Sequence, residues 1–154
     1  MITPRFILLK EIEIQLMKTI LRSSLLLFLV LASMNGYASE QKKRDADLAA
    51  GKWLALVDGQ QYLESWNSAA TLFKQQVSSD HWLQAIGAAR NPLGSMISRK
   101  LVSATYATSL PGAPDGEYVV LQYQTRFQFK QSAIETVTPM LDQNRWRVSG
   151  YYVR

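Results

Sequence analysis

The sequence predicts an α+β domain in which three N-terminal helices pack on a curved four-stranded antiparallel sheet. Three observations lead there. Apolar residues recur at helical spacing from Asp45 to Arg90. From about Met96 the chain changes to stretches rich in Val, Thr and Tyr with strand-like alternation. The two patterns follow one another instead of interleaving, which favours segregated helix and sheet layers over parallel βαβ units. With 154 residues the chain fits one domain.

The N-terminal stretch has to be set aside first. From Met17 it reads "MKTILRSSLLLFLVLASMNGYASEQ". Lys18 and Arg22 supply a positive region, Leu25 to Ala32 an apolar run, and Gly36-Tyr37-Ala38 small residues where a signal peptidase reads. This pattern predicts a secretory signal cleaved after Ala38, with translation starting at Met17. The apolar run is too short to favour the alternative, a permanent membrane anchor. Residues 1–38 are then leader and signal peptide, 39–44 a basic polar tail, and 45–154 the single domain. There is no cysteine. An exported chain of this kind has no disulfide framework, no lipid-modified N-terminal cysteine, no thiol nucleophile and no cysteine-ligated metal. Four of the seventeen basic residues lie in the leader, so the net charge of +5 overstates the basic character of the domain. No basic stripe interleaved with aromatics is present, which argues against nucleic acid as a partner.

The first helix begins near Asp45 and places Ala49, Trp53, Leu56 and Val57 on one face; Asp58-Gly59 ends it, with glycine taking the left-handed position. The second carries the stripe Tyr62, Trp66, Ala69 and Phe73, continued by Val77. Ser78-Ser79-Asp80 stops it and caps the third, His81 to about Arg90, which buries Trp82, Ala85, Ile86 and Ala89. Asn91-Pro92-Leu93-Gly94 terminates the helical half. Ser98 to Leu110 is the first strand. Glu117 to Lys130 alternates, with Val119, Leu121, Tyr123, Phe127 and Phe129 on one side and Gln122, Gln124, Arg126, Gln128 and Lys130 on the other. Ser132 to Leu141 is the third strand, Asp142-Gln143-Asn144 a turn, and Arg145 to Val153 the fourth strand with Trp146, Val148 and Tyr152 on one face. The loop "SLPGAPDGEYVV" between the first two strands is expected to be a structural corner, with Asp115-Gly116 supplying a positive-φ turn.

The stretches "WLALVDGQQYLESWNSAATLFK", "RNPLGSMISRK", "LPGAPDGEYVVLQYQTRF" and "ETVTPMLDQNRWRVSGYYV" resemble the exported bacterial family catalogued as domain of unknown function 4019, over about Asp45 to Arg154. The chain departs from that pattern at Gln143-Asn144, where Asp-Gly is expected. The resemblance carries no activity and no catalytic residues. It also implies a more distant similarity to the nuclear transport factor 2-like, or cystatin-like, α+β cone. That superfold hosts isomerases, dehydratases and pure binding modules, so it does not choose a function.

Few residues offer catalytic chemistry. His81 is the one histidine; it sits beside Asp80 at a helix start, where a solvated polar residue is ordinary, and nothing near it has metal-ligand spacing. The carboxylates Asp58, Glu64, Asp80, Asp115, Glu117 and Asp142 fall mostly in turns and caps. Glu135 lies mid-strand, where it could act as a lone general base in a conical pocket or pair with a cross-strand arginine or lysine. Arg90 could bind an anion or interact with the last carbonyls of its helix. Tyr62, Trp66, Trp82, Tyr123 and Trp146 face inward by periodicity, either as core or as the wall of a pocket. The binding candidates are therefore Tyr62, Trp66, Trp82, Arg90 and Tyr123, with no catalytic residue, metal or cofactor expected. The expected function is that of a secreted or periplasmic, non-catalytic module for a small amphipathic ligand or a protein partner. The alternatives are a small cofactor-free isomerase- or dehydratase-like enzyme, and a subunit that forms a homodimer through the outer sheet face. No stable membrane anchor is expected after cleavage. The direction in which Glu135 points discriminates: inside a cavity beside a tyrosine it favours the enzyme reading, and on the sheet exterior it disfavours it.

Overall fold

A computed structural model describes residue 17 and residues 37–154. The leader features Lys18, Arg22, Leu25–Ala32 and Gly36 lie outside the described residues. Among the described residues no helix is long and apolar enough to cross a membrane. Gln41–Arg154 forms one unit, described below.

Its first helix, α1, covers residues 41–58 and turns Ala46, Ala50, Trp53, Leu54 and Val57 into the core. Ala49 and Leu56, expected inside, are only partly covered, so the buried stripe is rotated toward Leu54. The Lys42-Lys43-Arg44 run is helical. The Lys42 ammonium meets Glu117 at 2.8 Å and lies 4.9 Å over the Tyr106 ring. At the other end, Gln60 N–H bonds the Val57 carbonyl (3.1 Å) and Gln61 N–H the Leu56 carbonyl (2.8 Å). These paired bonds close a Schellman end. Its left-handed residue is Gln60 (φ 58), not Gly59.

The expected second helix divides into α2, Tyr62–Ser68, and α3, Thr71–Gln76, so the unit has four helices instead of three. Ala69 and Ala70 between them are extended and fully buried. Ala70 N–H leaves the helical ladder and donates to the Val148 carbonyl at 2.9 Å, a tertiary bond that outweighs alanine's helix preference. Two alanines let the backbone approach that closely. The last helix, α4, is Ser79–Arg90, capped by the Ser78 hydroxyl. It buries Trp82, Ile86 and Arg90, while Ala85 and Ala89 are exposed. A 3₁₀ turn at Asn91–Leu93 and Gly94 (φ 73) lead into the sheet.

The strands β1 (Met96–Ala107), β2 (Tyr118–Phe127), β3 (Ala133–Asp142) and β4 (Arg145–Val153) form one antiparallel meander in the order β1-β2-β3-β4. On β2, Val119, Leu121, Tyr123, Thr125 and Phe127 face the helices. Phe129 lies beyond the strand and is 70% exposed. On β4, Thr138 opposes Gly150 but Pro139 opposes Val148, leaving Ser149 as an extra residue. This bulge shifts the alternation by one. Tyr151 therefore packs on the core where Tyr152 was expected, and Tyr152 is 62% exposed. The Gln143-Asn144 turn has positive φ at both residues (49 and 61), as a tight hairpin requires. In the loop between β1 and β2 the positive φ belongs to Gly112 (78), not to Gly116. That loop is tied by Gly116 N–H to the Thr108 carbonyl (2.9 Å) and by the Tyr118 hydroxyl to the Pro114 carbonyl (2.7 Å), as a corner would be.

Candidate functional site

Two features compete for the role of site: a buried ring of charges inside the unit and a groove on its surface. The ring is assembled by strand register. Arg99 on β1 opposes Thr125 on β2, and Tyr123 on β2 opposes Glu135 on β3, so Arg99, Thr125 and Glu135 share the inner face. The last residues of two helices complete it, Asp58 from α1 and Arg90 from α4. Arg99 grips Asp58 with two bonds of 2.7 and 2.9 Å, and its Nε donates to Glu135 Oε2 at 2.6 Å. Arg90 donates to Asp58 at 2.7 Å and to Glu135 Oε1 at 2.9 Å. Two cations and two anions thus alternate in a closed ring of no net charge.

Glu135 is 0% exposed and fully engaged. Its Oε1 accepts from Arg90 and from the Tyr151 hydroxyl (2.6 Å), and its Oε2 from Arg99 and the Thr125 hydroxyl (2.5 Å). Burial pushes the Asp58 carboxyl up, but the bonds and charges of Arg99 and Arg90 outweigh it and hold the group below its ordinary value. Burial works against the charge on Arg99 and Arg90, and the partners named above more than restore it. Burial and the Glu135 charge push the Tyr151 phenol up. A general base must offer a lone pair to its substrate. Glu135 points inside, beside the Tyr151 hydroxyl, and each of its oxygens already accepts two hydrogen bonds, which link it to β1, β2, β4 and the end of α4.

The candidate residues read from sequence are placed as follows. Trp82 lies in the aromatic core, edge-on to Phe73 at 5.1 Å and tilted to Trp53 at 5.7 Å, with its indole N–H on the Ser65 hydroxyl at 2.9 Å. Trp66 packs on the same core and donates to the Val77 carbonyl at 2.8 Å. Tyr123 is 5% exposed, and its hydroxyl donates to Asp47. Burial, together with that carboxylate, pushes its phenol up. Tyr62 and Arg90 meet at a polar pocket of about 130 Å³ shared with Asp58, Asn91 and Gln128. The five are therefore not gathered at one cavity.

A larger cavity lies elsewhere. A groove of about 630 Å³ runs between α1 and β4, walled by Leu48, Ala49, Leu56, Trp146 and Val148 and edged by Asp45, Lys52, Arg145 and Arg147. Leu48, Lys52 and Leu56 are spaced by four, which puts them in one row on the side of α1 away from the buried stripe. Of these groove residues, Ala49, Leu56, Trp146 and Val148 read from the sequence as inward-facing core, whereas Leu48, Lys52, Arg145 and Arg147 are not singled out as a surface site. The i, i+4, i+8 recurrence of Leu48, Lys52 and Leu56 was the signal that could have exposed the α1 side of the groove. Neither groove nor polar pocket includes Glu135.

A family model described as "Protein of unknown function (DUF4019)" matches residues 49–151. The chain belongs to this family. The DUF4019 match takes in Asp58, Arg90, Arg99 and Glu135 and most of the groove. No curated protein and no solved structure matches the chain. Among the described residues no group of His, Cys, Asp and Glu is arranged to hold a metal ion.

Proposed function

We propose that this DUF4019 chain is an exported, non-catalytic binding module that takes a small amphipathic ligand in the groove between α1 and β4. The observation that carries this reading is the pairing of a saturated interior carboxylate with a mostly apolar surface groove of about 630 Å³. That volume falls in the range of about 300–1,000 Å³ typical of small-molecule sites. Four helices laid on one face of an antiparallel meander also suit the nuclear transport factor 2-like cone, which the fold reading extends to this chain. Export rests on the Lys18, Leu25–Ala32 and Gly36-Tyr37-Ala38 pattern.

Thermal shift of the purified mature domain against monomeric single-chain amphipaths tests the binding reading. A ligand at a hundred times its Kd should add about 2.7 kcal/mol of stability. Leu48 is 65% exposed, so Leu48→Glu should leave the unliganded Tm unchanged and abolish the shift. The absence of any shift, or a shift indifferent to Leu48→Glu, removes the groove from consideration. N-terminal sequencing of the exported protein should begin at Ser39; retention of the apolar run defeats the export reading.

A further inference from the structure

Resting on the groove reading, the donors along the groove point to the chemical class of its ligand. Three of the four tryptophans have their indole N–H satisfied: Trp53 by the Ser65 carbonyl (2.7 Å), Trp66 by Val77 and Trp82 by Ser65. The fourth, Trp146, donates to no described residue, and its ring is only partly buried against the core. Lys52 and Arg145 are exposed and form no ion pair among the described residues. Arg147, by contrast, faces Asp142 at 3.6 Å. Asp45 is the one acidic residue on the groove wall, and it already accepts from Gln41 at 2.8 Å. The groove thus combines an apolar wall of Leu48, Leu56 and Trp146 with uncommitted donors and an excess of positive charge.

We propose that the groove selects amphipathic anions: monomeric single-chain molecules whose alkyl part lies on Leu48, Leu56 and Trp146 and whose carboxylate or phosphate meets Lys52, Arg145 and the Trp146 N–H. An uncharged amphipath such as an alcohol would gain the apolar contact and a neutral hydrogen bond from Trp146, without the ion pairs. A cationic one would face like charges, and like-charge juxtaposition is what excludes wrong partners. Because Lys52 and Arg145 are exposed, the selectivity is modest and falls with salt.

The test is isothermal titration of decanoate, decyl phosphate, 1-decanol and decylammonium below their aggregation limits, into wild type, Lys52→Gln/Arg145→Gln and Trp146→Phe. Circular dichroism checks that each variant is folded. Decanoate and decyl phosphate should bind about tenfold tighter than decanol, the advantage two exposed cations can confer. The double variant should lose that advantage and leave decanol binding unchanged. Trp146→Phe should weaken the anions a few-fold while keeping the apolar wall. Equal binding of decanoate and decanol overturns the anion inference and leaves the groove reading standing. No binding of any amphipath overturns both. Binding to phosphatidylglycerol vesicles without binding of monomeric decanoate overturns the inference in favour of a membrane surface.

Discussion

Replacing Glu135 with glutamine tests whether the charge ring holds this fold together. The amide conserves shape but removes one of the two negative charges, leaving Arg90 and Arg99 with Asp58 alone. Glu135 accepts four hydrogen bonds, and all four donors point at it. In the Glu135→Gln variant an NH₂ group would face the guanidinium of either Arg99 or Arg90, donor against donor, whereas the Thr125 or Tyr151 hydroxyl can turn to accept. Breaking a buried ion pair from one side costs about 3–5 kcal/mol, because the remaining charge stays buried and unpaired. For a unit of this size that is a Tm fall on the order of 10–20 °C. Urea denaturation with extrapolation to water measures it directly. The double variant Arg99→Met/Glu135→Leu is the sharper probe. It removes one cation and one anion together and leaves the Asp58–Arg90 pair intact, so it should be less destabilised than Glu135→Leu alone. A Glu135→Gln loss under about 1 kcal/mol, or strictly additive effects in the Arg99/Glu135 cycle, would refute the closed ring as a structural clamp.

The depressed Asp58 carboxyl makes the fold acid-sensitive: the unfolded chain binds its proton at higher pH than the folded one. The contribution is full above the unfolded value of about 3.9 and is lost as pH falls through the folded value, so an Asp58→Asn variant should show a flatter stability profile below about pH 4. Asp142 accepts from both the backbone N–H (2.8 Å) and hydroxyl (2.9 Å) of Thr71, so Asp142→Ala should cost about 1 kcal/mol as a lost helix cap on α3, read by urea denaturation. Gly112→Ala should cost about 1–2 kcal/mol for its positive φ (78) alone, with no neighbour within 4 Å. Gly94→Ala should cost more, since its Cβ would come within 2.8 Å of Phe129, and Gly116→Ala, which lacks positive φ, should be the mildest of the three in thermal melts.

Much of the architecture follows from local chemistry. Strand alternation in "EYVVLQYQTRF" is enough to place β2 and its inner face, and β4 starts at Arg145 as expected because the tight Gln143-Asn144 turn precedes it. The order of helices before strands, the lack of cysteine and the corner nature of the Pro-Gly loop are equally legible, since each depends on residues close together in sequence. Where prediction and structure part, a tertiary bond has overruled a local preference. Ala69-Ala70 would continue a helix, but the Val148 carbonyl draws Ala70 out of it. Tyr152 would face inward by simple alternation, but the Ser149 bulge hands that place to Tyr151.

The two candidate sites were harder to read for a related reason. Arg90 and Glu135 each stood out in the sequence as a lone charged residue, one at a helix end and one mid-strand, with pairing only one of the readings for Glu135. Arg99 and Asp58 gave no sign of belonging with them. Their closure into a ring depends on the register of three strands and on where two helices stop, which periodicity does not encode. The groove has the same origin: the Leu48–Lys52–Leu56 row is written into α1, but only packing sets it beside Trp146 and Arg145 of β4. Sequence alone determined the layers and the strands, because hydrophobic period and turn chemistry act over a few residues, and it excluded cysteine chemistry outright. Tertiary structure decided which charges neutralise one another and which apolar surface stays open, because those depend on distances between residues far apart in the chain.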